Sequence, residues 1–186
     1  MSFPVITLIA LLSYFISRAL LKSSKQVYAG LALALLMIIG LTIYSKGISI
    51  LGLHISATSF SIVILIVTFT ETTLLERHIT KIKKGEIGSN VKSVEREYNE
   101  IFFLIGFGLG GIVLSLISGL MVLGELDLEL IFKIVFTAFA LIIYMLTFLG
   151  VKYANLKVRY AVRGTILSFA MVLLAYFGNS IILINY

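Results

Sequence analysis

GLHISATSFSIVILIV, residues 52–67, sets one of only two histidines, His54, at the mouth of an apolar run that continues to residue 75. Over 55–75 the run holds a single charged side chain, Glu71. A helix crossing roughly 30 Å of hydrocarbon needs about 20 mostly apolar residues, and this stretch supplies them. In lipid the backbone must satisfy its own hydrogen bonds, so the stretch reads as a transmembrane helix rather than as part of an open sheet.

The whole chain has the same character. Sixty per cent of its 186 residues are hydrophobic, 13% are charged and the mean hydropathy is +1.10, far from the usage of a soluble globular domain. Apolar runs separated by charged breaks predict six spans, at about 3–21, 28–44, 55–75, 100–123, 130–149 and 164–184. The expected fold class is therefore an all-α integral membrane protein. No internal repeat and no low-complexity linker divides it, so residues 1–186 read as one transmembrane domain.

The connections decide orientation. Arg18, Lys22 and Lys25 follow the first span; Arg77, Lys81, Lys83, Lys84, Lys92 and Arg96 follow the third; Lys152, Lys157, Arg159 and Arg163 follow the fifth. The alternate connections hold Lys46 and then Glu125, Asp127 and Glu129, with Lys133 just inside the fifth span. The positive-inside rule makes the basic connections cytoplasmic and both termini external. The first span has its basic cluster after the apolar run, the reverse of a secretory signal, and reads as an N-out helix. The longest break contains GSN at 88–90 as a helix start, and Val91, Val94 and Tyr98 then suit a short amphipathic helix on the cytoplasmic surface.

Several chemistries are excluded. With no cysteine, the chain alone makes no disulfide, zinc-thiolate site, iron–sulfur cluster or Cys-x-x-Cys redox pair. The net charge of +6 is spread between apolar runs and forms no nucleic-acid patch. GFGLGG at 106–111 lies inside an apolar span, without the preceding strand a nucleotide loop requires. Gly106 with Gly110, and Gly111 with Ser115 and Gly119, instead form small-residue rows that let another helix approach closely. No catalytic triad or paired intramembrane carboxylates are visible, and no enzymatic activity is expected.

His54 is then the residue with most to offer. Burial favours the neutral imidazole, and a neutral imidazole is an axial ligand for haem iron. The alternative is an interfacial histidine bonded to a neighbouring carbonyl. Tyr44, Met121 and Lys133 fall at a similar external depth; a thioether completes a His/Met axial pair, and the lysine either meets a haem propionate or snorkels to the interface. His78 lies on the cytoplasmic side and reads as a solvated loop residue. Glu71 serves a proton path or pairs with nearby cations.

The C-terminal part, ELIFKIVFTAFALIIYMLTFLGVKYANLKVRYAVRGTILSFAMVLLAYFGNS, joins a helix beginning near a lysine, a basic VRG turn and a final LLAYFGN helix. Together with LHISATSFSIVILI upstream, it resembles the cytochrome c assembly family, and most of all its YpjD-like inner-membrane branch. The resemblance covers roughly residues 50–184. It implies a polytopic protein of the bacterial inner membrane that binds or handles haem near the extracytoplasmic face, working with cytochrome assembly partners, with His54 as iron ligand and Lys133 as a propionate contact. Before Lys133, where relatives are expected to carry histidine, this chain has Phe132, and the absence of tryptophan removes the Trp-rich external segment of the larger relatives. A different class of function stays open beside this one. A cofactor-free membrane scaffold, or an accessory subunit of a larger complex, would use the small-residue rows and basic connections alone. A small-solute transporter has less support, since no inverted repeat appears.

Overall fold

A computed structural model describes residues 3–20, 26–85, 94–122, 128–154 and 156–175, giving only the backbone at Glu95 and at 128–130. These residues form six helices and, among the described residues, no strand: α1 Phe3–Leu20, α2 Gln26–Lys46, α3 Ile50–Lys83, α4 Val94–Val122, α5 Leu128–Tyr153 and α6 Val158–Leu173. Lys22, Lys25, Lys92, Glu125, Asp127, the GSN stretch and the expected sixth span beyond residue 175 lie outside the described residues, as does the Glu129 side chain.

The helices run past the apolar segments that announce them. α3 has 34 residues, about 51 Å at a rise of about 1.5 Å per residue. That exceeds the roughly 30 Å of hydrocarbon, so its last turns, Glu76 to Lys83, carry the charged sequence onward as helix. α4 likewise starts at Val94, and Val94 and Tyr98 form its first turns rather than a separate surface helix. α6 starts at Val158, ahead of the expected position 164.

Local chemistry sets the ends. α2 stops at Gly47, whose φ of +67° suits a residue without Cβ, and whose N–H donates to the Ile43 carbonyl at 2.9 Å. Ser49 then caps α3: its Oγ accepts from the Gly52 N–H at 3.1 Å. α3 ends on a second left-handed glycine, Gly85.

The chain divides into two compact units. Unit 1 comprises residues 1–64 and 111–125, and unit 2 residues 65–110 and 126–186, so α3 and α4 each give one part to each unit. In unit 1, α1 packs on α2, with Gly30 taking the Tyr14 ring and the Ser17 hydroxyl against its backbone. Thr7 on α1 donates to Ser59 on α3 at 3.1 Å. In unit 2, α5 packs on α6, and the Ser168 hydroxyl donates to the Ala140 carbonyl at 2.9 Å. Phe102 of α4 stacks on Phe148 of α5 with centroids 4.9 Å apart.

Polarity is distributed opposite to that of a water-soluble fold. Thr58, Ser59, Thr68, Thr72, Thr165 and Ser168 are buried, while Leu8, Leu36, Phe103, Leu114, Phe139 and Leu146 are exposed. Exposed apolar surface on this scale needs a nonaqueous neighbour. Five helices are long and apolar enough to cross a membrane: α1, α2, α3, α4 from Arg96 and α5 from Ile131. This is the architecture of a multi-pass membrane protein.

Candidate functional site

His54 stands in the second turn of α3, in unit 1, where α3 meets α4 along a seam of small and hydroxyl side chains. Gly111 lies against Ser61, Ser115 Oγ is 2.7 Å from Thr58 Oγ1, and Gly119 lies against the imidazole of His54. The spacing explains the contact. Steps of four residues along α4 keep Gly111, Ser115 and Gly119 on one face, and His54, Thr58 and Ser61 answer from α3 in reverse order. In lipid, where apolar burial between helices gains little, close backbone approach and such hydroxyl bonds supply the association.

The imidazole is oriented by Ser118. His54 Nδ1 lies 3.2 Å from Ser118 Oγ, and that same hydroxyl is 2.7 Å from the Leu114 carbonyl and 3.2 Å from that of Ser115. A serine has one proton to give. The carbonyl contact is the shorter and takes that proton, so the Ser118 oxygen accepts from Nδ1–H. A neutral ring in this arrangement is the Nδ1–H tautomer. The ring is half-buried. A Cβ on Gly119 would stand 3.2 Å from its Cε1, so glycine at 119 makes the room for it.

Lys133 lies in the second turn of α5 and belongs to unit 2; beside it Phe132 stacks on Phe136 at 5.6 Å. Tyr44 and Met121 are exposed. Met121 sits two positions beyond Gly119, which turns it away from the α4 face that meets His54. Among the described residues, no group of three or more His, Asp or Glu side chains gathers to hold a bare metal ion.

His78 differs from its expected setting. It is part of helix α3 rather than a solvated loop, is half-buried, and its Nδ1 lies 2.8 Å from Glu97 Oε2 on α4. The overrun of both helices beyond their apolar segments creates this pairing. Glu71, also on α3, is half-buried in unit 2.

Ser118 and Thr58 are the site residues that a reading of the sequence overlooks. The signal was present in weak form: Ser118 lies three residues after Ser115, so it borders the face of the small-residue row. Compared with protein-family models, with curated proteins and with solved structures, the chain matches none.

Proposed function

We propose that this chain is a bacterial inner-membrane protein of the cytochrome c assembly type, which binds or handles haem at its extracytoplasmic face through His54. The observation that carries the reading is the contact of His54 Nδ1 with the Ser118 hydroxyl at 3.2 Å. A ligating histidine characteristically donates its other ring N–H to a second group, which sets ring orientation and basicity; Ser118 stands where it can be that group for His54. A porphyrin brings four nitrogens of its own, so one histidine is a sufficient protein ligand. The residues LHISATSFSIVILI and the C-terminal motifs support the same reading by their resemblance to that family. No bond-making step is assigned to side chains; the protein holds and orients, and haem supplies the iron chemistry when bound.

The proposed topology has six spans, with α6 as the start of the last, and both termini external. The distribution of Lys and Arg supports it, because Arg18, the Arg77–Lys84 group, Arg96 and the Lys152–Arg163 group fall on connections of one parity. Single cysteines at Ile48 and at Lys84, in the cysteine-free chain, test it with an impermeant maleimide. Labelling at Ile48 in intact cells, with Lys84 labelled only after permeabilisation, is the expected pattern; the reverse pattern overturns the orientation.

A second reading is favoured by the packing of the imidazole on Gly119. That contact is what a purely structural histidine makes in a helix seam, and it suits a cofactor-free scaffold or accessory subunit. Titration of the purified protein in mild detergent with haemin separates the two. A stoichiometric, saturating Soret shift that is lost in His54→Ala supports haem binding. An equal, weak spectral change in both proteins assigns the scaffold role.

A further inference from the structure

We infer that unit 2 carries a binding site for a phosphoryl group, at the basic end of its helices. The site is a cavity of about 520 Å³ lined by Glu76, Thr80 and Lys83 of α3, Tyr98 of α4, and Lys157 and Arg159 at the start of α6. It is separate from the His54 seam, which lies in unit 1, and does not depend on the haem reading.

Charge is the first argument. Three cations face one carboxylate, Glu76, and among the described residues no carboxylate pairs with Lys83, Lys157 or Arg159. The α4 acids with described side chains are engaged elsewhere: Glu97 with His78 at 2.8 Å and Glu100 with Arg96 at 3.4 Å. The second argument is the first turn of α6. Lys157 caps that helix without a side-chain hydrogen bond, and Tyr160 N–H is the first amide bonded back, to the Lys157 carbonyl at 2.8 Å. The amides before it have no partner within the helix, and this end carries the positive pole of the helix dipole, where phosphate is favoured. The third argument is rigidity. The Tyr98 hydroxyl reaches the carbonyls of Val151 and Leu156, each at 3.3 Å, and holds the α5–α6 connection beneath the cavity.

The remaining wall, Ile79, Leu156 and Val158, is apolar, so the ligand is amphipathic. The cavity lies on the charged end of α3, beyond its apolar segment, and basic pockets between helices on the cytoplasmic side take anionic headgroups. Glu76 on the same wall penalises a dianionic monoester more than a singly charged diester. The fitting ligand is therefore a phosphodiester borne on an anionic amphiphile.

Native mass spectrometry of the purified protein with phosphatidylglycerol or phosphatidylcholine tests this. Wild type is expected to retain phosphatidylglycerol preferentially. The triple variant Lys83→Gln, Lys157→Gln, Arg159→Gln should lose that preference by roughly a hundredfold, at roughly fivefold per cation. Lys81→Gln with Lys84→Gln, outside the cavity, should leave it unchanged. Should the triple variant aggregate, Lys157→Gln and Arg159→Gln singly are each expected to lose about fivefold, while the charge-preserving Lys157→Arg and Arg159→Lys retain it. Displacement of the lipid by glycerophosphoglycerol, the acyl-free diester, shows that the headgroup alone is recognised; resistance to it shows that the acyl chains contribute, and both uphold the site. Equal retention of the two lipids by wild type overturns it, as does an equal loss from the cavity variant and the Lys81/Lys84 control.

Discussion

The Tyr144 hydroxyl donates to Thr68 Oγ1 across 3.2 Å, and its ring rests against the bare backbone of Gly108. A Cβ at Gly108 would stand 2.6 Å from Tyr144 Cε1 and 2.7 Å from its oxygen, so the phenol and the glycine specify one another. Tyr144 is fully buried among apolar side chains, where its hydroxyl needs a partner. Tyr144→Phe removes one hydrogen bond of the kind that averages about 0.6 kcal/mol between membrane helices. Gly108→Ala forces the ring to move and should cost about 1–3 kcal/mol as overpacking. Thermal unfolding in detergent should therefore rank Gly108→Ala below Tyr144→Phe, and the opposite ranking would remove the packing argument.

A second close approach joins α5 to α6. A Cβ on Gly164 would collide with Thr147 Oγ1, whose own proton goes to the Ile143 carbonyl at 2.9 Å. Gly164→Ala should be destabilising alone and substantially restored by Thr147→Ala, giving a coupling of about 0.5–3 kcal/mol in a double-mutant cycle. Additive effects would show that the two residues are not in contact.

Ser118→Ala isolates the orienting bond from the ligand. It leaves His54 in place and removes the acceptor for Nδ1–H. Loss of such a supporting partner typically costs about 10–100-fold in metal affinity, so haemin affinity should fall by that order while helix content is kept. Unchanged affinity would mean that the serine does not set the tautomer for iron.

Gly119 and Gly110 form a matched pair of controls. A side chain at 119 meets the imidazole, whereas one at 110 meets nothing within 4 Å. Gly119→Leu should displace His54 and abolish a haem-dependent Soret shift. Gly110→Ala should be neutral or raise stability by up to about 1 kcal/mol from helix propensity. A spectral loss in Gly110→Ala would indicate that α4 faces α3 through a different surface.

Five of the helices were legible because each hydrophobic segment is long enough to declare itself against the cost of placing charge in lipid. Their ends were not. Hydropathy stops at Leu75, but α3 continues to Lys83 because nothing in ERHITKIK breaks a helix and Gly85 is the first left-handed residue. The solvated loop expected at His78 fails for that reason.

At the site, the row Gly111, Ser115, Gly119 was readable as a packing face and does meet α3. Gly110, one position away, is rotated by about 100° and faces open space. The hydroxyl partners were not readable. Serine and threonine are nearly neutral in hydropathy, and whether Ser118 meets His54 or Thr68 meets Tyr144 depends on the rotation of one helix against another, which composition does not encode.

The short link from Gly47 to Ser49 also bears on how the chain is made. In the proposed topology this link is exported, and the segment to be carried across holds one cation, Lys46, and three uncharged residues. A left-handed glycine and a serine cap close it locally, so α2 and α3 can enter the bilayer from the translocon as a preformed hairpin. Export of the link that leads into the His54 helix then moves almost no charge.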